Sequence, residues 1–355
     1  MRIAIIGTGW GTRVQVPAFR AAGLEIVGVA ANNPMKTRAE AEKLAIPAFD
    51  TWFELLATDA DVISIVTPPN THREMAMAAL AAGKHVLCEK PTALNAAEAA
   101  DMLVAAQHHA GQWALIDHEL RFHPLYLAAR AAIATIGSIR HATSSVVGLS
   151  RADELRPWNW WSDKVQGGGA WGAIGSHQVD LVRWLCGEIA AVRGTLHTFI
   201  TERPFGDSMR PVTSDDAALI HLRFADGGVG SLTISMVAGT NEVDTTTIHG
   251  ADGAVRIEGA RLLVAEHGGA WQDRTPTHTI AIGDGIAGPF PIGAAFPIGT
   301  MYLGHALRAY GAGDHTALQD GATFADGLRI QQILDAVHQS NDTHGGWIAL
   351  DEPHS

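Results

Sequence analysis

Arg2-Ile3-Ala4-Ile5-Ile6-Gly7-Thr8-Gly9-Trp10-Gly11-Thr12 decides the fold of this chain. The apolar run Ile3–Ile6 predicts a buried strand, and the pattern of Val14–Ala22 predicts a helix. Between them lies a glycine-rich turn. In a strand–turn–helix of this kind, Gly7 permits the tight turn. Gly9 lets the backbone approach a pyrophosphate at the helix N-terminus. The third glycine of the usual spacing is displaced: Thr12 holds its place and Gly11 precedes it. The context predicts a dinucleotide cofactor, NAD or NADP, held by Gly7, Thr8, Gly9, Trp10 and Gly11.

Working outward, the same alternation continues. Glu25–Ala30, Val62–Thr67, His85–Cys88 and Ala114–Ile116 read as strands; Lys36–Leu44, Thr71–Ala82 and Ala96–His109 read as helices. Alternation of this type implies right-handed crossovers and a parallel sheet. After about residue 120 the period changes. Ile139–Val147, Val192–Phe199, Ala217–Phe224, Val229–Val237, Thr245–His249 and His278–Ile282 alternate apolar and polar residues, with a hairpin signal at Asp226-Gly227-Gly228. Helices are expected near 124–135, 176–186 and 322–340. The Pro- and Gly-rich stretch Ile286–Thr300, with Pro289, Pro291 and Pro297, reads as an ordered loop over a cleft or a subunit contact. The fold class is therefore α/β: a dinucleotide-binding domain over 1–120, then an α+β domain over 121–355 with a large, mostly antiparallel sheet.

Composition narrows the function classes. The chain has 355 residues, 25 Lys+Arg against 37 Asp+Glu, and a net charge of −12. An acidic chain argues against nucleic acid and anionic membrane as partners. No apolar run approaches the roughly 18 residues that span a bilayer. Arg2–Ile6 runs into the glycine turn too soon to be the core of a signal peptide. Two cysteines, Cys88 and Cys186, make no disulfide framework, so a cytoplasmic location is expected.

The strand ends carry the candidate chemistry. The second strand ends Ala30-Ala31-Asn32-Asn33-Pro34 without the acid that grips an NAD ribose. Lys36 and Arg38 follow and suit a 2′-phosphate, which favours NADP slightly; Asn32 also suits an NAD ribose. The fourth strand leads into Thr67-Pro68-Pro69-Asn70, a turn expected to line the cofactor cleft, while His72 reads as a surface residue at a helix start. Cys88-Glu89-Lys90-Pro91 ends the next strand. A lysine there can hydrogen-bond a substrate hydroxyl and exchange its proton, and Glu89 can pair with Lys90 or a cofactor ribose.

Taken in order, the Gly-x-Gly turn, Thr67-Pro68-Pro69, Gly83-Lys84-His85-Val86 running into Glu89-Lys90-Pro91, and Gly167-Gly168-Gly169 through Gly175-Ser176-His177 resemble the Gfo/Idh/MocA family. Phe324–Arg329 fits that family's last helix. The resemblance implies a Rossmann domain and an α+β domain whose open sheet often forms a dimer face. It also implies hydride transfer between a sugar or polyol carbinol and nicotinamide, with Lys90 as catalytic lysine and His177 beside the reacting hydroxyl. One departure matters: the family frequently has an aspartate four residues before the histidine, and here that position is Ala173. Asp180, three residues after His177, reads as a capping or packing residue. Lys90 gains weight as the base.

Toward the substrate, Asp117-His118-Glu119-Leu120-Arg121 leaves the last Rossmann strand. Asp117, His118 and Glu119 are possible acid/base groups; Arg121 is a possible substrate contact. Trp158-Asn159-Trp160-Trp161 precedes the triple glycine, and such indoles either stack on sugar rings or pack the core. Lys164 and Arg156 flank them and leave room for an anionic substituent. No ligand spacing for a metal is present, and Cys88 has no adjacent base. The leading expectation is an NAD(P)-dependent sugar oxidoreductase, as a homodimer or homotetramer. The alternative is a redox-neutral glycoside-cleaving enzyme on the same scaffold, using transient oxidation, elimination, hydration and re-reduction. For that alternative the family resemblance suggests anionic sugars such as sulfoquinovosides. A cofactor-binding regulator is disfavoured because Lys90 and His177 are retained.

Overall fold

The computed structural model describes residues 1–277 and 295–351. These divide into two compact units: 1–93, 97–124 and 295–328 in the first, and 94–96, 125–277 and 329–351 in the second.

The first unit is built on β1 (Arg2–Ile6). Around it stand β2 (Glu25–Ala30), β3 (Ala48–Phe49), β4 (Val62–Ile65), β5 (His85–Cys88) and β6 (Ala114–Ile116). The sheet order is β6-β5-β4-β1-β2-β3, all parallel. Alternate residues of β1 feed opposite layers. Ala4 and Ile6 join Ile63, Met75 and Ala76, whereas Ile3 and Ile5 join Val16 and Phe19. Each such isoleucine contributes roughly 1.5–3 kcal/mol on full burial, which is why the strand is apolar on both faces. The helices are α1 (Val16–Ala21), α2 (Pro34–Leu44), α3 (Trp52–Leu56), α4 (His72–Ala81) and α5 (Ala96–His108). Asn33 caps α2, its side chain accepting from the Lys36 N–H at 3.0 Å.

A boundary at residue 120 does not anticipate how the chain returns to this unit. Ala322–Thr323 adds an antiparallel strand beside β6. Ala295–Gly311 forms a helix whose Leu303 and Leu307 pack with Phe19 and Ile3. The expected loop through Thr300 is thus already helical from Ala295. Pro297 sits in the first turn, where its missing N–H removes no helical hydrogen bond. The expected strand His278–Ile282 and the remainder of that loop, with Pro289 and Pro291, lie outside the described residues.

The second unit opens with α6 (Pro124–Ile133) and β7 (Ile139–Val147), followed by α7 (Ser176–Cys186). The strands β8 (Ile189–His197), β9 (Glu202–Phe205), β10 (Ser208–Pro211), β11 (Ala217–Phe224) and β12 (Val229–Ser235) come next. They are followed by β13 (Thr245–Gly250), β14 (Gly253–Glu258), β15 (Arg261–Glu266) and β16 (Gln272–Asp273). With the helix from Ala295 as α8 and the strand at Ala322 as β17, the chain ends in α9 (Phe324–Asp342) and β18 (Ile348–Ala349). Nine strands form one sheet in the order β16-β15-β14-β13-β7-β12-β11-β8-β18, antiparallel except for β7 with β12. The hairpin at Asp226-Gly227-Gly228 closes with Phe224 N–H donating to Gly228 O at 2.9 Å. Helices back one face: Gly194 of β8 lies against Val337 of α9. The separate pair β9–β10 is antiparallel.

Candidate active site

β1 lies between β4 and β2, so sheet growth reverses beside it, the place where open α/β sheets bind ligands at their carboxyl edge. Gly7 sits there with φ +127°, and a Cβ on it would meet Val66 O at 2.0 Å. Gly9 is different. A Cβ on it would meet nothing within 4 Å, so no protein packing requires that glycine, and the bare backbone leaves space for an approaching group. These residues fit a dinucleotide pyrophosphate. The helix after the turn enters through a π-turn, Gly11–Gln15, a device frequent at functional sites.

At the end of β2, Asn32 is exposed, whereas Asn33 is spent capping α2. Lys36 is exposed, but Arg38 pairs with Asp50 at 2.5 Å. The cations read as a 2′-phosphate site are therefore reduced by one. Past β4, Thr67 Oγ1 meets Thr71 Oγ1 at 2.7 Å, Pro68 is half-buried and Asn70 is exposed. His72 is not on the surface; it is fully buried. Its Nδ1 faces Pro91 O at 3.0 Å and Thr92 O at 3.3 Å, and its Nε2 faces Thr67 O at 2.8 Å. The ring thus clamps the turn after β4 to the turn after β5. Burial is the largest influence on it and lowers its pKa.

Beyond β5 and β6 lies the densest polar cluster. Cys88 pairs with Ile116 across the ladder, so Glu89 and Asp117 emerge side by side. The Lys90–Pro91 bond is cis. The Lys90 N–H donates to Glu89 Oε2 at 3.3 Å. The two buried carboxyl groups act on each other: the Asp117 charge raises Glu89, the repulsion expected where like charges share a buried site. Burial, then the Asp117 charge, raises Glu89 to about 8. Burial raises Asp117 to about 6, opposed by Gln15, Lys90 and Glu89. Glu119 is buried, its Oε2 has no hydrogen-bond partner among the described residues, and burial with the Asp117 and Glu89 charges pushes it well above the carboxylate range. His118 is buried beside them.

Two members of this network were not expected. Gln15 Nε2 donates to Asp117 Oδ2 at 2.8 Å, and Ser64 Oγ donates to Gln15 Oε1 at 2.6 Å, all buried. Each carries a faint signal: Gln15 stands between Val14 and Val16, and Ser64 interrupts the apolar run Val62–Ile65. Arg121, expected at the substrate, pairs with Asp326 at 3.4 Å in the same unit, where it fastens the exit of β6.

In the second unit, Gly167-Gly168-Gly169 feeds another π-turn, Trp171–Gly175, and His177 is buried in the first turn of α7. Ala173 and Asp180 are buried there too. The tryptophans do not form an open platform. Trp158 sends its indole N–H to Pro211 O at 3.0 Å and lies under Arg210 at 3.6 Å. Trp161 is covered by Arg151 at 3.8 Å, and Trp160 leans on Trp161. Asn159 caps the short turn after it, accepting from Trp161 N–H at 3.0 Å. Lys164 is exposed, with its N–H on Thr213 Oγ1. No group of three or more potential metal ligands occurs among the described residues, and no helix among them is long and apolar enough to cross a membrane.

Comparison with known proteins bears on this arrangement. Residues 1–115 match a family model described as an oxidoreductase family with an NAD-binding Rossmann fold, and residues 126–256 match the GFO/IDH/MocA C-terminal domain. Glucose-fructose oxidoreductase domain-containing protein 2 of Bos taurus is 28% identical over 364 residues, covering 98% of this chain and 93% of that protein. Levoglucosan dehydrogenase of Pseudarthrobacter phenanthrenivorans is 32% identical over 312 residues, 79% of this chain and 78% of that protein. A structure of levoglucosan dehydrogenase in complex with NADH and levoglucosan superposes with a TM-score of 0.85 at 26% identity, covering 99% of both chains. The glycine turn, the strand order and these matches agree, and the chain belongs to the Gfo/Idh/MocA family of NAD-binding oxidoreductases.

Proposed function

We propose that the chain transfers hydride between a carbinol carbon of a sugar, polyol or glycoside and the nicotinamide of NAD(H), with Lys90 as the proton-transferring residue. The observation that carries this reading is Lys90 at the carboxyl edge of the Rossmann sheet, directly after β5 and beside the buried carboxyl groups of Glu89 and Asp117. The sugar class is supported by the levoglucosan bound in the structural relative. The backbone of Gly7–Gly11 would hold the pyrophosphate, Asn32 the ribose, and Thr67, Pro68, Asn70 and Glu89 the nicotinamide end. Engagement of Arg38 by Asp50 shifts the preference from NADP to NAD.

When bound, the nicotinamide supplies the hydride acceptor. Lys90 accepts the hydroxyl proton as the carbon–hydrogen bond breaks, a contribution of about 10²–10⁴-fold for positioned acid–base catalysis. The Glu89–Asp117 pair lies next to it, and Gln15 with Ser64 fixes the Asp117 carboxyl. With Ala173 at the position where the family frequently has an aspartate, Lys90 carries the base role. Lys90→Met should lower kcat by about 10³-fold while leaving the nucleotide Kd within a few-fold. Turnover surviving within a few-fold would remove Lys90 from the chemistry.

A second reading, redox-neutral glycoside cleavage, is favoured by one observation: Glu119 is an additional buried carboxyl group beside this pair, pushed well above the carboxylate range by burial and by the Asp117 and Glu89 charges. Denaturing the purified protein and weighing the released nucleotide separates the two. Near-stoichiometric retained NAD, with glycoside consumed and no net NADH, favours cleavage. An empty protein that reduces added NAD favours the dehydrogenase.

A further inference from the structure

The second unit contains a small recess, partly open to solvent, lined by Arg151, Trp161, Ser162, Arg203, Ser214 and Asp215 among others. Three arginines meet around it, and two have evident structural work. Arg203 donates to Asp153 O and Arg151 O, both at 2.7 Å. Arg156 donates to Ser150 O at 3.0 Å. The Arg203 bonds tie β9 to the loop after β7, and the Arg156 bond ties that loop to itself. Arg151 is the exception. Its guanidinium carbon lies over the Trp161 ring, 3.8 Å from the ring centroid, and no carboxylate among the described residues pairs with it.

The acids in the wall do not compensate it. Asp215 accepts from the Trp171 N–H at 2.6 Å. Asp216 accepts from the Phe199 N–H at 3.0 Å and the Ile200 N–H at 2.9 Å. Both carboxylates are thus committed to backbone donors. Burial, and then the Arg156 and Arg203 charges, pull Arg151 down to about 9. A half-buried cation beside two like charges, with no carboxylate partner among the described residues and an open recess at its side, is poised to take an anion. A ring stacked on one face leaves the planar fork free to grip an oxyanion edge-on.

We propose that this recess is an oxyanion-binding subsite, with Arg151 as its principal ligand and Trp161 as the platform that orients it. The group it takes is a carboxylate, sulfonate or phosphate. Lys164 and Arg156, the flanking cations that the sequence offers for an anionic substituent, are respectively exposed and engaged with backbone, so Arg151 replaces them. The recess wall is also continuous with the strand of chain leading to His177. Ala170 N–H donates to Asp215 O, and Trp171 N–H to the Asp215 side chain.

The inference stands apart from the oxidoreductase reading, because binding is measured without turnover. Inorganic sulfate is titrated calorimetrically into the full-length protein at constant ionic strength. Saturable binding is expected, weakened at least tenfold in Arg151→Gln and less in Arg151→Lys, with Arg156→Gln close to wild type. Circular dichroism of each variant confirms folding. A competition arm uses an aldose and its uronic acid. Displacement of sulfate by the uronic acid alone assigns the subsite to an acidic arm of a sugar. Sulfate binding untouched by either sugar assigns it to a free anion. Absence of saturable sulfate binding, or equal binding in folded Arg151→Gln, overturns the proposal.

Discussion

Glu89 and Asp117 are ordinary acids in the sequence, and it is their neighbours that make them unusual. A carboxyl group whose pKa rises on folding keeps a proton in the native chain that the unfolded chain has released. The stability contributed by protonated Glu89 is therefore fully present below its ordinary value of 4.5 and is lost as pH rises through about 8. Melting temperature should fall across that window, and Glu89→Gln, which cannot ionise, should flatten the profile. Parallel profiles for the two proteins would show that the pair does not hold a proton. The sequence places Asp117 and Glu119 near the lysine but cannot say that they are buried. That follows from contacts distant in the chain: Gln15 arrives from the first helix, and the backbone of Gly299 in α8 would bring a Cβ within 2.6 Å of Glu119 O. His72 shows the same limit. A histidine after Asn70-Thr71 reads as a surface residue; only the fold brings three carbonyl oxygens around it. Removing those bonds with His72→Phe should cost about 1–3 kcal/mol, measurable by denaturant titration.

At the scale of elements, Glu25–Ala30, His85–Cys88, Ile139–Val147 and Ala217–Phe224 have the same limits in sequence and structure, whereas Val62–Thr67 and Val229–Val237 end two residues early, at Ile65 and Ser235, and Val192–Phe199 is Ile189–His197. The two-residue strands β3 and β17 have too few residues to show a period; β14 and β15 are absent from the sequence reading although Val255-Arg256-Ile257-Glu258 alternates apolar and polar residues. The π-turns that open α1 and lead into α7 carry no sequence rule, yet both follow glycine-rich segments and both precede candidate site residues. The first glycine turn gives a contrast that tests its role. Gly7→Ala drives a Cβ into Val66 O and should destabilise the fold. Gly9→Ala meets no protein atom and should leave the melting temperature unchanged while weakening NAD binding at least tenfold. Equal affinity for NAD in folded Gly9→Ala would place the pyrophosphate elsewhere.

For the whole molecule, the large sheet of the second unit poses a question of cover. Its inner face is closed by helices, but strand alternation sends Leu219, His221 and Arg223 of β11 to the other side, beside Val229 of β12. Leu219 is 52% exposed and Val229 48% exposed. His141 stacks on His249, and Arg223 lies over Trp347 at 4.2 Å on the same unit. An outward sheet surface of mixed apolar and cationic–aromatic character is suited to self-association by a two-fold, in which each copy offers the same patch. The expectation of a dimer or tetramer drawn from the sequence gains a specific surface in this way. Light scattering of the full-length protein should give a multiple of the chain mass. Leu219→Arg, which sets a charge in the exposed patch without touching the inner core, should shift the distribution to the single chain with little change in far-ultraviolet dichroism. A wild-type protein that scatters as one chain at every concentration would leave this face to solvent.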